Sequence, residues 1–205
     1  DGLDALYMYH TGGVLYEYLE NDVLPEVFFK RTGVKIPEKE KAKLIRNGEM
    51  SLPLLLSWLG RHDDRNALIH NDVQDALDDG RVSLSLSERT GHVKSMHKHF
   101  PDSGIILGAV KGADRESALQ DHQAVFAITQ LARDGLDRKD LNTIFITMPF
   151  TDENRLRQII GRSLRSKDPI VVIYEDEHIK PCRAMCHKLR KHLRALKYPF
   201  QTVDV

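Results

Sequence analysis

A regular alternation of strand-like runs and helical stretches, beginning near residue 81, limits the fold more than any other feature of the sequence. Five runs are typical of short strands, and they cover residues 81–89, 104–110, 124–129, 142–150 and 169–175. Helical or loop sequence follows each run. Strands that alternate with helices predict βαβ units and a parallel sheet covered on both faces. The sequence therefore predicts an α/β domain, in which ligands are expected at the carboxyl ends of the strands.

The first eighty residues are organised differently. Residues 24–36 are rich in β-forming side chains, and the run is broken by Gly33 and Pro37. Three helices are predicted next, over residues 38–50, 51–64 and 66–80. Gly80 is a candidate for the C-terminal cap of the third helix.

Charge is balanced over the whole chain but not along it. The 30 Lys and Arg match 30 Asp and Glu. Residues 155–198, however, carry twelve Lys and Arg against four acids, and no acid occurs between His178 and Gln201. A local basic field of this kind favours polyanion binding even in a neutral protein.

Cysteine content and hydropathy bear on the compartment. Cys182 and Cys186 give no disulfide framework, which favours a reducing, intracellular location, and a viral source is compatible with it. No apolar run has the length needed to cross a membrane, and no signal peptide is evident. Because the chain starts at Asp1 without Met, we expect a fragment of a longer protein.

The stretch "RQIIGRSLR" combines cationic and apolar residues at helical spacing. One helix face is apolar, with Leu156, Ile159 and Ile160. The opposite face is polar and comprises Gln158, Gly161, Arg162 and Arg165. Two arginines on one face suit a bidentate grip on phosphate oxygens, and a glycine allows close approach. The alternative is an ordinary solvated basic face.

A second candidate is "ITQLARDGLD". Thr129 ends a predicted strand, and its hydroxyl could contact a phosphate. Gly135 could approach a nucleotide, and Asp137 could accept a hydrogen bond from a ribose hydroxyl. A plain turn with a solvated Asp137 explains the same residues.

The order and spacing of these stretches resemble the second RecA-like lobe of a superfamily 2 helicase. The resemblance covers about the last two thirds of the chain, with "GLD" similar to motif V of that family and "Q..GR..R" similar to motif VI. It is closest to DNA translocases and branch-migration helicases of phage or repair type. The DEAD-box group usually has His where this chain has Gln158 and "TD" where it has Thr129-Gln130, so DNA is favoured over RNA.

The resemblance implies a role for each matching residue. Arg165 matches the arginine finger, Arg162 the second phosphate-contacting arginine, and Gln158 the residue that positions the γ-phosphate and attacking water. Gly135 and Asp137 match residues that face the nucleotide. The nucleic-acid backbone would be held by Thr129, Ser87, Arg89, Lys111 and Arg115.

The resemblance also implies an organisation. Residues 1–22 would connect to a first RecA-like lobe of the same protein, and residues 23–205 would form the C-terminal lobe with a basic C-terminal helix. ATP and Mg²⁺ would be cofactors of the whole enzyme, held mostly by that first lobe. A search for the phosphate-loop pattern G-x-x-x-x-G-K-S/T finds none, so we expect the chain alone to be inactive as an ATPase.

Several titratable residues have simpler interpretations. Glu175, Asp176 and Glu177 imitate a magnesium-binding helicase motif but follow the arginine stretch, so they are predicted to be a solvated strand end. His92, His97 and His99 are predicted to be solvated on a polar helix. His178, Cys182 and Cys186 recur every four residues, yet a fourth zinc ligand is lacking, so no metal site is predicted.

Two other classes of function remain open. One is a non-catalytic nucleic-acid-binding module whose arginines only grip phosphates. The other is the motor portion of a restriction or nuclease system, with the same lobe but a different attached activity.

Overall fold

The computed structural model describes residues 24–108, 112–130, 138–163, 166 and 168–204. Seven strands form one sheet: β1 (Glu26–Arg31), β4 (Ser83–Ser87), β5 (Gly104–Ile106), β6 (Ala124–Ile128), β7 (Thr143–Ile146), β8 (Ile170–Glu175) and β9 (Phe200–Val203). A separate hairpin consists of β2 (Ile45–Arg46) and β3 (Glu49–Met50). The helices of this part of the chain are α1 (Glu38–Leu44), α2 (Leu52–Leu59), α3 (Asp63–Asp78), α4 (Thr90–His99), α5 (Ala113–Gln120), α6 (Glu153–Ser163) and α7 (Lys180–Ala195).

The seven-stranded sheet is parallel throughout, in the order β5-β6-β4-β7-β8-β1-β9. Its central strands β4 and β7 are buried at every residue, because helices cover both of their faces. The predicted α/β parallel sheet is thereby confirmed.

Two layers of helices cover the sheet. On one side, which we call the α7 face, α5, α6 and α7 pack on residues such as Leu86, Ile144 and Ile173. On the other side, the α3 face, α3 and α4 pack on Phe126 and Phe145. A third apolar cluster lies at the carboxyl ends of the strands, where α1 and α2 meet the chain that follows β1, β7 and β8.

Helix α3 ends as its sequence predicts. Gly80 has φ of +70°, and its N–H donates to the carbonyl of Leu77 at 3.0 Å. The N–H of Arg81 donates to the carbonyl of Ala76 at 2.8 Å. These two bonds form a Schellman motif, which satisfies carbonyls that the last helical turn leaves free.

Two elements differ from the sequence-based prediction. The helix predicted over residues 38–50 stops at Leu44, because Asn47 and Gly48 both adopt positive φ and turn the chain into the β2–β3 hairpin. The C-terminal helix was expected to complete the domain, but β9 follows it and pairs in parallel with β1. No described helix is both long and apolar enough to span a bilayer.

Candidate functional site

The candidate site lies at the carboxyl ends of the strands, where the loops after β4 and β7 meet the start of α6. Helix α6 carries the "RQIIGR" part of the arginine stretch. Leu156, Ile159 and Ile160 on this helix are at most 1% exposed and pack into the core of the α7 face, which confirms the predicted apolar face. Gln158 is exposed on the same helix, and position 162 follows it by about one helical turn.

The glycine of this helix has open space beside it. A Cβ added to Gly161 would meet no described atom within 4 Å. The side chain of Arg162 and all of Arg165 lie outside the described residues, as do Lys111, Gly135 and Asp137. The structure thus describes the anchored face of α6 and the exposed Gln158, and the roles of the other residues stay predictions.

The loop after β4 is held by a hydrogen-bond chain inside the protein. The hydroxyl of Ser87 is buried, lies 3.1 Å from His92 Nδ1, and accepts from the Arg89 N–H at 3.1 Å. His92 Nε2 lies 3.1 Å from Asn66 Oδ1, while the Asn66 amide nitrogen donates to the carbonyl of Gly60. Since Asn66 Oδ1 can only accept, His92 donates from Nε2 and accepts the Ser87 proton at Nδ1.

The prediction that His92 is solvated is therefore wrong. His92 is only 2% exposed, and burial, followed by the nearby charges of Arg65 and His70, lowers its pKa to about 3. The imidazole is neutral at physiological pH and supports the loop that contains Ser87 and Arg89. His97 is half-buried and hydrogen-bonds Ser103 at 2.9 Å, whereas His99 is exposed as predicted.

A polar cleft of about 480 Å³ opens beside this loop, at the N-terminus of α4. Its wall includes the guanidinium-bearing residues Arg61 and Arg89. The Nε of Arg89 is buried and has no hydrogen-bond partner among the residues the structure describes. Arg61, Arg89 and the N-terminus of α4 favour an anion in this cleft, whereas Asp63, which also lines it, opposes one.

Thr129 and Arg115 complete the nucleic-acid residues that can be located. Thr129 lies just after β6, is 1% exposed, and its hydroxyl has no partner within the described ranges. Arg115 is half-buried in the first turn of α5. Both therefore belong to elements that flank the carboxyl ends of β5 and β6.

An ion pair that the sequence did not reveal joins two parts of the site. Arg155 Nη1 on α6 donates to Glu88 Oε1 in the loop after β4 at 2.8 Å. Both side chains are largely buried, and the Arg155 guanidinium lies 5.2 Å from the ring centroid of Phe150. The loop that carries Arg89 and the helix that carries Gln158 are thus directly connected.

The acidic run after β8 is structural, so its prediction as a solvated strand end is wrong. Asp176 is fully buried and accepts from Arg65 Nε at 2.7 Å and from the Thr32 hydroxyl at 2.8 Å. Glu175 accepts both Arg190 Nη atoms, at 2.7 and 2.6 Å. These partners occupy the carboxylates that imitate a magnesium-binding motif.

The cysteines of α7 are buried among apolar side chains. Desolvation, followed by the charge of Asp176, raises the pKa of Cys182 to about 12, and desolvation likewise raises the pKa of Cys186. His178 is exposed and lies 3.1 Å from Glu177. Zinc binds thiolates, and these thiols are held neutral. Among the described residues no group of three His, Cys, Asp or Glu side chains has metal-ligating geometry.

Comparison with known proteins bears on the fold. No protein-family model matches the sequence, and no curated protein matches it. The structure is similar to that of T4 UvsW, with a TM-score of 0.65, 13% identity, and coverage of 88% of this chain and 41% of the other. It is similar to S. cerevisiae Dbp5 bound to RNA and ADP BeF3, with a TM-score of 0.64, 11% identity, and coverage of 98% and 49%.

A third structure has a narrower overlap. The C-terminal part of the Fun30 ATPase domain matches with a TM-score of 0.51 and 14% identity over 60% of this chain and 45% of that one. The chain therefore spans less than half the length of each of these three proteins. The parallel sheet, its strand order and these likenesses together establish an α/β fold of the RecA-like type.

Proposed function

We propose that this chain is the C-terminal motor lobe of an ATP-dependent nucleic-acid helicase or translocase that acts on DNA. The observation that carries the proposal is α6. This helix starts at the carboxyl ends of a RecA-like sheet, buries Leu156, Ile159 and Ile160, and leaves Gln158 exposed. An anchored helix of this kind can present polar residues to a nucleotide held by another domain.

The nucleotide half-site would consist of Gln158, Arg162, Arg165, Gly135 and Asp137. The exposed position of Gln158 and the open space beside Gly161 fit a nucleotide that approaches from outside the lobe. Phosphoryl transfer is accelerated mainly by positive charge placed where negative charge develops. Arginines from this lobe would complete the site only when the two lobes close, which makes hydrolysis depend on motion.

Magnesium would be held by the first lobe. The buried carboxylates at the end of β8 are engaged by Arg65 and Arg190, so they do not fit a metal site. ATP bound with Mg²⁺ supplies the phosphoryl group that the enzyme transfers to water. This lobe would contribute orientation and positive charge, and alone it would not hydrolyse ATP.

Nucleic acid would lie along the loops after β4, β5 and β6. Arg89 and Arg61 in the polar cleft, together with Arg115, Lys111 and Thr129, would contact the phosphate backbone. The hydroxyl of Ser87 is engaged inside the protein, and we assign it the task of fixing the backbone of Arg89. Phosphate contacts of this type supply affinity and register without reading sequence.

The test uses the full-length protein, with its first lobe. Replacement of Arg165 by Ala should lower the ATPase rate by about 10²- to 10³-fold or more, because the lost contact forms only in the transition state. Affinity for DNA should stay within about threefold. Arg157→Ala is the matched control, because Arg157 is an exposed arginine of α6 that pairs with Glu153.

Two results would contradict the proposal. If Arg165→Ala weakens DNA binding but leaves turnover per bound complex unchanged, the chain is a binding module. If the purified 205-residue chain hydrolyses ATP by itself, and Arg165→Ala abolishes that activity, the lobe does not need a partner. An RNA and a DNA oligonucleotide of equal sequence, compared in both binding and ATPase stimulation, test the assignment to DNA.

A further inference from the structure

The outer side of α7 is a strongly charged surface that the proposed motor site does not use. We call it the basic face of α7, and it comprises Lys180, Arg183, His187, Lys188, Lys191 and Arg194. All six side chains are exposed. They recur every one to four residues along a helix of 16 residues, which is about 24 Å long.

The orientation of this helix is fixed by its apolar side. Cys182, Met185, Cys186, Leu189 and Leu193 are at most 8% exposed and pack into the core. A rotation that turned the cations inward would expose these five side chains to water. The basic face is therefore held outward by the hydrophobic core and does not depend on a partner for its direction.

No nearby carboxylate neutralises the positive charge of the basic face among the described residues. No carboxylate of the described residues lies within 4.0 Å of any of its Lys, Arg or His nitrogens. Two other residues of α7 do have carboxylate partners, and both lie outside this face: Arg190 contacts Glu175, and His192 contacts Glu153. Like charges at helical spacing repel each other, and a polyanion would relieve that repulsion.

We infer that the basic face of α7 binds the phosphate backbone of a nucleic-acid duplex, as a second contact surface outside the motor cleft. The inference rests on the proposed function for the identity of the polyanion. Successive cations advance about 4.5–6 Å along the axis where they are three or four residues apart, and this row can follow a line of phosphates.

The composition of the face favours nucleic acid over a bilayer. Only two apolar side chains, Ala184 and Ala195, are exposed on α7, whereas an interfacial helix buries large apolar residues in the lipid. The large apolar residues of α7 are already buried in the protein core. Flexible lysines and arginines in a row suit a continuous, sequence-independent anion.

Helix α7 begins at the same end of the sheet as the polar cleft. Ile179, which immediately precedes the helix, packs in the cluster at the carboxyl ends of the strands together with Leu59 of α2. Arg61 of the polar cleft follows α2 by two residues. Because α7 and the helices that line the cleft lie on opposite faces of the sheet, a duplex that contacts both surfaces would pass over the carboxyl ends of the strands.

The experiment measures binding of a fluorescein-labelled 25-base-pair DNA duplex to the 205-residue chain, by anisotropy at several salt concentrations. The variant carries Lys180→Gln, Lys188→Gln and Lys191→Gln. At about 0.1 M salt we expect affinity to fall tenfold or more, and the slope of log K against log salt to become less steep by about 2–3. The control carries Lys39→Gln, Lys41→Gln and Lys43→Gln on α1, where all three lysines are exposed, and should stay within about twofold of wild type.

A charge-preserving variant separates charge from folding. Lys180→Arg, Lys188→Arg and Lys191→Arg should keep both the affinity and the salt slope. If the glutamine variant binds the duplex like wild type, the inference is overturned. It is also overturned if the wild-type chain binds a labelled polyglutamate peptide of equal charge as tightly as it binds the duplex, since the partner would then be an acidic protein.

One further variant distinguishes this inference from the proposed function. If Arg89→Ala weakens duplex binding while the basic-face variant does not, the second surface is refuted and the motor cleft stands. If the wild-type chain binds neither duplex nor single-stranded DNA, both proposals fail together.

Discussion

Helices α3 and α7 have the same length, 16 residues, and lie on opposite faces of the sheet, yet they carry opposite charge. Helix α3 has five aspartates and one arginine, and α7 has six lysines and arginines without an acid. Their net charges differ by ten although the whole chain is neutral. The sheet therefore separates one acidic helix from one basic helix.

The two helices also differ in what they bury. Helix α7 turns only apolar side chains and cysteines into the core, and most of its cations face solvent. Helix α3 buries its single cation, Arg65, and its Asp72 accepts from the Tyr174 hydroxyl at 2.7 Å. Charged side chains of α3 stabilise the fold, whereas most cations of α7 are exposed and can contact a partner.

The largest expected effect comes from the buried cation of α3. Arg65→Met should lower the free energy of unfolding by about 3–5 kcal/mol, because Asp176 would be left charged and unpaired in the core. Urea denaturation at neutral pH measures the loss. Arg61→Met, at an exposed arginine nearby, should change stability by no more than about 0.5 kcal/mol.

A second variant shows whether the loss is due to the unpaired charge. Replacement of both partners, Arg65→Met with Asp176→Leu, should recover much of the stability, since two apolar groups leave no charge buried. A loss below about 1 kcal/mol for Arg65→Met alone would mean that α3 does not depend on this pair.

In α7 the stabilising residues are the apolar neighbours of the cations. Leu189 is fully buried, so Leu189→Ala should cost about 2–5 kcal/mol through lost burial and the cavity that remains. Lys188→Ala, one residue earlier and exposed, should change stability by less than about 0.5 kcal/mol. Equal losses at both positions in thermal or urea unfolding would contradict the division of α7 into a core side and a binding side.

The difference between the two helices also explains which parts of the structure the sequence predicts. Local patterns are enough for α7 and α6, because apolar and charged residues alternate at helical spacing and each helix buries mainly its apolar side. Local patterns also predict the parallel sheet and the helix cap at Gly80. These predictions depend on residues that are close in the sequence.

Buried polar residues could not be predicted in the same way. Asp176 meets its partner Arg65 across 111 positions, and His92 is buried because Asn66 and Ser87 supply its hydrogen bonds. Strand β9 likewise exists because β1 offers it an edge. The roles of Arg162, Arg165, Gly135, Asp137 and Lys111 stay predictions, since they rest on the resemblance to a helicase lobe.

The α3 side should also respond to pH in a way that the α7 side does not. The folded protein holds the pKa of His92 at about 3, below its ordinary value of 6.5, so the unfolded chain takes up the proton first as pH falls. Stability from this residue is complete above about pH 6.5 and decreases by about 1.4 kcal/mol per pH unit as pH falls from 6.5 toward 3.

Replacement of the histidine tests that dependence. In His92→Gln the contribution of this residue to the pH slope should disappear between pH 4.5 and 6.5, measured by urea unfolding at each pH. The same replacement at His187, exposed on α7, should keep the slope of the wild-type protein. A wild-type slope in His92→Gln would show that another group causes the acid sensitivity.

The smallest expected effect on stability lies at the one described ion pair that joins the two sides at the candidate site. Glu88 leads into α4 on the α3 face, and Arg155 belongs to α6 on the α7 face. A double-mutant cycle with Glu88→Gln and Arg155→Gln should give a coupling energy of about 0.2–1 kcal/mol in urea unfolding, as expected for an ion pair that water still reaches in part. The reversed pair, Glu88→Arg with Arg155→Glu, should restore most of this coupling energy.

The same pair should matter more for function than for folding, because it connects the loop of Arg89 to the helix of Gln158. In the full-length protein, Glu88→Gln should reduce the stimulation of ATPase by DNA about tenfold while DNA affinity and unstimulated turnover stay within about twofold. The charge-reversed double variant should regain stimulation, which a purely structural role would not require. Unchanged stimulation in Glu88→Gln would show that signals between the two sides of the lobe travel by another route.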